Sequence, residues 1–286
     1  MTRRLFIFGL GYSGLAVAEA ALAAGWSVAG TVRTPAKAAS LRARGIEAHV
    51  FDGVRPIAAA GLGEAAHVLC TIAPASGGDP ALGASAAALR GARWLGYLST
   101  TGVYGDRGGD WVDEDTPPRP TQPRSVERLA AERAWQALGQ ASGAAVTLFR
   151  LPGIYGPGRS ALDQVRAGTA RRIDKPGQVF SRIHVEDIAG AVMAALTRDT
   201  SGGVFNVADD LPAPSGDVVA FACGLLGLPT PPAIPWHEAE PTLSAMARSF
   251  YAESRRVRND RMKRDLGVVL RYPTYREGLA AILRAG

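Results

Sequence analysis

The chain has 286 residues, 47% of them hydrophobic and 20% charged, which is enough apolar surface for a folded core and too little charge for a disordered chain. At roughly 150 residues per domain it holds about two domains or one large one. The net charge of +6 comes almost wholly from arginine, since Lys37, Lys175 and Lys263 are the only lysines, and such a field suits an anionic ligand.

The first elements fall in order as Leu5–Phe8, Ser27–Val32, Glu47–Phe51, Val68–Ile72, Trp94–Ser99 and Val146–Leu151, short β-type runs. Helical stretches separate them at Gly14–Ala24, Pro35–Arg44, Leu82–Arg90 and Val126–Ala141. This alternation predicts an α/β fold with a doubly wound parallel sheet of Rossmann type. Thr101–Pro123, rich in Gly and Pro, reads as a long functional loop over the carboxyl end of the sheet. Val185–Thr197 reads as a further helix and Val204–Val207 as a further strand. Thr274 and Glu277 form a capping box before a last helix. The expected division is a dinucleotide-binding domain over 1–155 and 179–208, with a smaller substrate-side lobe over 156–178 and 209–286.

Cys70 and Cys223 lie far apart in apolar runs, which suits buried thiols in a reducing compartment. The histidines fall in no ligand spacing, so no metal is expected. The Arg3-Arg4 start imitates a secretory leader, but Gly9, Gly11, Gly14 and Glu19 break it, and no run reaches the roughly 18 apolar residues of a membrane span. A soluble cytoplasmic protein follows. The basic groups Arg255–Arg258 and Arg261–Arg264 are interrupted by acids and lack stacking aromatics, so they read as a solvated helix face. Neither nucleic acid nor a membrane is an expected partner.

Between the first strand and its helix stands Gly9-Leu-Gly11-Tyr12-Ser13-Gly14. Glycines there serve a tight turn, a close approach to a pyrophosphate, and helix-on-strand packing, while the helix start supplies amides. The end of the second strand has no acid for a ribose 2′-hydroxyl. Arg33, Thr34 and Lys37 stand there instead, which favours the 2′-phosphate of NADP, with NAD as the alternative.

Several segments together resemble the extended short-chain dehydrogenase/reductases of the NAD-dependent epimerase/dehydratase group. Beyond the glycine loop they are Phe51-Asp52-Gly53, Ser99-Thr100-Thr101-Gly-Val-Tyr104-Gly105, Arg150-Leu-Pro152-Gly-Ile-Tyr155-Gly-Pro157, Ile183-His184-Val-Glu-Asp187 and Phe205-Asn-Val-Ala. The resemblance implies Asp52 at the adenine, Ile72, Ala73 and Pro74 along the cofactor, Pro152 beside the nicotinamide, and Thr100 as the catalytic hydroxyl. It implies hydride transfer to or from an alcohol or carbonyl, on a phosphorylated or nucleotide-linked sugar among other candidates. Tyr155, Arg159 and Arg182 border the substrate cleft, the arginines facing an anionic group, and His184 is a structural hydrogen bonder.

The family's Tyr-x-x-x-Lys pair is missing. Counting back from Glu132 puts Arg124 at the Tyr position and Arg128 at the Lys position, and no tyrosine lies between Tyr104 and Tyr155. A guanidinium stays charged and cannot exchange protons near neutral pH. Arg128 is left with a ribose or phosphate contact. Tyr155 and Tyr104 are candidate acids by loop position, although packing is the stronger reading of each. The chain therefore resembles an atypical member. A non-catalytic NADP(H) sensor or docking module is the alternative to an enzyme, and the oligomeric state does not follow from the sequence.

Overall fold

The computed structural model describes residues 3–57, 62, 66–198 and 202–285. Its strands run β1 (Arg4–Phe8), β2 (Ser27–Val32), β3 (Glu47–Val50), β4 (His67–Cys70), β5 (Trp94–Thr100), β6 (Trp111–Val112), β7 (Ala145–Leu151), β8 (Gly153–Tyr155), β9 (Arg172–Asp174), β10 (Arg182–His184) and β11 (Gly203–Asn206). Seven form one parallel sheet in the order β3-β2-β1-β4-β5-β7-β11. The order reverses between β1 and β4, and such a switch point opens a crevice at the carboxyl ends of the strands. The predicted doubly wound sheet is present, with β1 and β2 within one residue of the expected bounds.

Alternation along β1 builds a core on each face. Leu5 and Ile7 point to the side covered by α1 (Tyr12–Ala23) and Val185–Thr197, and Phe6 and Phe8 to the side holding Leu95, Tyr97 and Trp135. The second helix, α2 (Pro35–Arg42), starts with Thr34 accepting from the Lys37 amide and Pro35 at its first position. α3 (Pro80–Leu89) is capped by Asp79, and α4 (Pro123–Ser142) ends at Gly143 in the left-handed conformation. α5 (Ala161–Arg166), α6 (Val185–Thr197) and α7 (Ser215–Leu226) follow.

A third apolar cluster lies off the sheet, with Tyr155, Leu162, Val218 and Ala222 packed on Tyr275 and Leu279 of the last helix, Tyr275–Ala285. Met262, Leu266, Val268 and Leu270 instead join the core on the α1 side, so part of the tail expected in the smaller lobe packs on the sheet domain.

Two sequence expectations are corrected. Thr101–Pro123 is not one irregular loop: Thr101–Tyr104 forms a 3-10 turn, and β6 pairs in parallel with Arg256–Val257. Arg255–Arg258 is accordingly no solvated helix. Val257 is buried against Val112 and Tyr104, Arg255 pairs with Glu253 and donates to the Gly105 carbonyl, and Arg258 lies over the Trp111 ring. Only Asp260–Leu266 is helical, and its Arg261 is tied to Asp115 and Glu114. The backbone partner that draws Arg256–Val257 into a strand lies 145 positions away, beyond any local pattern.

Candidate functional site

The glycine loop sits where β1 enters α1, at the switch point. Gly9 has φ +92°, and its carbonyl accepts from the Thr71 hydroxyl at 2.6 Å while its amide donates to Thr31 Oγ1 at 2.9 Å. A Cβ on Gly14 would fall 2.2 Å from the Gly9 carbonyl oxygen, whereas one on Gly11 would meet nothing within 4 Å. Gly9 and Gly14 thus close the turn against the helix, and Gly11 leaves backbone open to a ligand. The first turn of α1 has neither a side-chain cap nor an acidic residue, so its amides and dipole face outward uncompensated. These features fit the diphosphate of a dinucleotide.

The other expected cofactor residues share this edge. Arg33 and Thr34 follow the end of β2, Asp52 follows β3, and Ile72, Ala73 and Pro74 follow β4, the neighbours of β1 in the sheet. Arg33 is exposed, and Thr34 is engaged as the cap of α2. Asp52 accepts from the Val54 and Arg55 amides at 2.9 Å and pairs with the Arg55 side chain at 3.1 Å. The bond from the Arg55 amide leads in holding its carboxyl below the usual range. Asp52 is therefore occupied with its own turn.

Thr100 ends β5 in register with Leu151, one strand from Pro152. Its Oγ1 accepts from the Gly102 amide at 3.1 Å, which leaves its proton to donate elsewhere. Ser125, which the sequence reading passed over, reaches the same turn: a Cβ on Gly102 would lie 2.5 Å from Ser125 Oγ and 3.3 Å from Thr100 Oγ1. Arg128 braces α4 on the strand end, donating from Nη1 to the Leu98 carbonyl at 2.7 Å and to the Tyr97 hydroxyl at 3.2 Å. Any ribose contact falls to its other nitrogens.

Behind this edge runs a buried network. Glu132 Oε1 accepts from Ser99 Oγ at 2.6 Å and from Arg150 Nε at 3.0 Å, and Oε2 accepts from Arg150 Nη2 at 2.7 Å. Arg150 Nη1 donates to the Tyr104 hydroxyl at 3.0 Å, which donates to Asn206 Oδ1 at 2.7 Å. The Asn206 backbone N–H donates to Glu114 Oε1 at 2.7 Å. Tyr104 is fully buried with both hydroxyl bonds made inside the protein, so it is unavailable as an acid to a substrate. The readable signal was a charge, Arg150, inside the apolar run Leu148–Leu151, which demands a buried partner.

Tyr155, Arg159 and Arg182 are brought together in the wall of one cavity of about 750 Å³, with Arg171, Tyr251 and Tyr275 also lining it. The Tyr155 hydroxyl donates to the Thr274 carbonyl at 3.3 Å, and burial pushes the phenol far above its ordinary range. The Arg159 side chain makes no hydrogen bond or ion pair among the described residues, and its guanidinium lies 5.7 Å from the Tyr12 ring centroid. Tyr12 in turn donates to the Pro157 carbonyl at 3.1 Å, so the glycine loop touches the cavity rim. His184 caps α6 by accepting from the Glu186 amide at Nδ1, which places its proton on Nε2. That Nε2 is buried without a partner among the described residues, and burial lowers the imidazole pKa from 6.5 to about 4. His184 is neutral at pH 7. Among the described residues no helix is long and apolar enough to cross a membrane, and none of the His, Cys, Asp and Glu groups could hold a metal.

Known proteins share this chain's sequence and fold. The chain is 30% identical over 207 residues to the 3-diazoavenalumate denitrifying reductase of a Streptomyces species, a match covering 68% of this chain and 66%, just under two thirds, of that relative. A functionally unknown conserved protein from Silicibacter pomeroyi DSS is 48% identical, with a TM-score of 0.88 over 99% of both chains. The Thermus thermophilus UDP-glucose 4-epimerase in complex with NAD, 21% identical, shares the fold at a TM-score of 0.78 over 98% of each chain. The family model described as NAD dependent epimerase/dehydratase family matches residues 82–208, the stretch that carries Thr100, Glu132, Arg150 and Asp187. Residues 82–208 thus match the NAD-dependent epimerase/dehydratase family.

Proposed function

We propose that the protein is an NADP(H)-dependent oxidoreductase acting on an anionic alcohol or carbonyl substrate. The observation that carries this reading is the carboxyl edge of the sheet, where the uncapped start of α1 and the exposed Arg33 stand side by side with no acid after β2. A dinucleotide held there supplies hydride chemistry. Backbone at Gly11, Tyr12 and Ser13 would face its diphosphate, and Arg33 with Lys37 its 2′-phosphate. Thr100 holds the reacting oxygen through its free hydroxyl proton, while Arg159 and Arg182 orient an anionic group in the adjoining cavity. The Streptomyces relative, named a 3-diazoavenalumate denitrifying reductase, supports a reductase role on an anionic substrate.

Calorimetric titration with NADP, NADPH, NAD and NADH tests the reading. Expected is preference for the phosphorylated pair, lost in Arg33→Ala by at least about tenfold, or 1.4 kcal/mol. Binding of none of the four dinucleotides overturns it.

A further inference from the structure

Arg182 is fixed in the cavity wall by two bonds from Nη1, to the Phe180 carbonyl at 2.8 Å and the Ala213 carbonyl at 3.1 Å. It makes no ion pair among the described residues. The carboxyl that acts on it most, Asp209, is buried with Oδ2 unpartnered, and burial raises its pKa to about 8, so it carries little charge at pH 7. A desolvated, rigid guanidinium in the wall of a cavity is a site waiting for an anion.

The rest of the lining narrows which anion. Of the lining hydroxyls that would read a sugar, that of Tyr275 makes no hydrogen bond among the described residues, and others are engaged inside the protein: Ser160 bonds Asp163 Oδ2 at 2.6 Å, Ser215 and Tyr251 share a bond of 2.8 Å, and Thr169 donates to the Gln164 carbonyl. Apolar lining comes from Ile173, Val218, Val219 and Leu279 beside the Tyr275 ring, while Arg159, Arg171 and Gln164 supply the other polar side chains of the wall. Arg182 itself lies 5.8 Å from that ring's centroid.

We propose that the cavity takes a small carboxylate with a flat, unsaturated body, its carboxylate on Arg182 and its body against Val218, Leu279 and Tyr275, rather than a nucleoside diphosphate sugar. Arg159 stands at the rim, beside Tyr12 of the glycine loop, where the far end of such a ligand meets the dinucleotide edge. The inference deepens the reading above by naming the substrate class of the same site.

The test is calorimetry on the full chain with cinnamate, cinnamamide, UDP-glucose and inorganic pyrophosphate, with NADP titrated separately. Cinnamate is expected to bind at least tenfold more tightly than cinnamamide. Arg182→Gln is expected to weaken cinnamate at least tenfold with NADP affinity unchanged. Should Arg182→Gln fail to fold, Ser215→Asp serves, because an acid in the first turn of α7 suits the helix while setting a like charge in the wall. It too is expected to lose cinnamate at least tenfold. Binding of UDP-glucose or pyrophosphate that is tighter than that of cinnamate and is itself weakened by Arg182→Gln overturns the proposal, as does cinnamate binding indifferent to both variants. Absence of cinnamate binding with NADP binding intact overturns the substrate class alone. Cinnamate binding without any dinucleotide binding overturns the oxidoreductase reading alone.

Discussion

Arg150 and Arg182 both carry a guanidinium into the protein, Arg150 buried and Arg182 half-buried in a cavity wall, but their surroundings are opposite. Arg150, at the end of β7, meets both oxygens of Glu132 and the Tyr104 hydroxyl, and Glu132 is 1% exposed. Arg182, at the start of β10, meets two carbonyls and no carboxylate. A charge balanced by buried partners is a structural joint, here tying α4 to β5 and β7. A charge left unbalanced beside an open volume has its counter-charge still to come. The contrast separates architecture from site without reference to sequence position.

Removing the counter-charge of Arg150 gives the largest expected effect. Glu132→Ala leaves a buried guanidinium unpaired, and stability falls by about 3–5 kcal/mol, read from denaturant unfolding. Arg182→Met gives the complementary result. It loses two charge-assisted bonds to carbonyls that keep their backbone partners, and removes a charge held largely out of water, so the cost stays within about 1–2 kcal/mol. Equal losses for the two variants would erase the distinction.

Asp209 offers a reversible version of the same comparison. It faces Arg182, Asp210 and Asp187, and Tyr155 lies close enough to feel its charge. Its pKa in the fold, about 8, is raised above the ordinary 3.8, so its contribution to stability is full below 3.8 and is lost as pH rises through 8. Above 8 the ionised carboxylate also competes for Arg182. Carboxylate affinity in the cavity is then expected to fall by up to about tenfold per pH unit, and Asp209→Asn to remove that dependence. A flat affinity profile from pH 6 to about 9 in the parent would break the assignment.

The sheet and the glycine loop were readable because their signals are local. Apolar runs of four to seven residues, Thr34 before Pro35, and Thr274 three before Glu277 each mark an element within one turn of chain. The cavity was legible only in pieces: its wall runs from Gly153 to Leu279, and Arg171, Tyr251 and Tyr275 join it through packing that no spacing encodes. The pairing of Trp111–Val112 with Arg256–Val257 was invisible because two-residue strands have no periodicity. Glu132 served as a marker for aligning α4, yet its role came only when Ser99 and Arg150 were found around it.

The smallest expected effect concerns the seam between the two regions. Tyr12 belongs to the glycine loop, and its hydroxyl reaches the Pro157 carbonyl while its ring lies under Arg159. Tyr12→Phe removes one partly exposed hydrogen bond, worth about 0.5–1.5 kcal/mol, and keeps the ring on which the guanidinium rests. Stability should drop by about 1 kcal/mol with cinnamate affinity nearly unchanged. Tyr12→Ala removes the ring as well and frees Arg159, so cinnamate affinity should fall severalfold more than in Tyr12→Phe. If the two variants bind cinnamate alike, the ring does not position Arg159, and the glycine loop and the cavity meet without acting on each other.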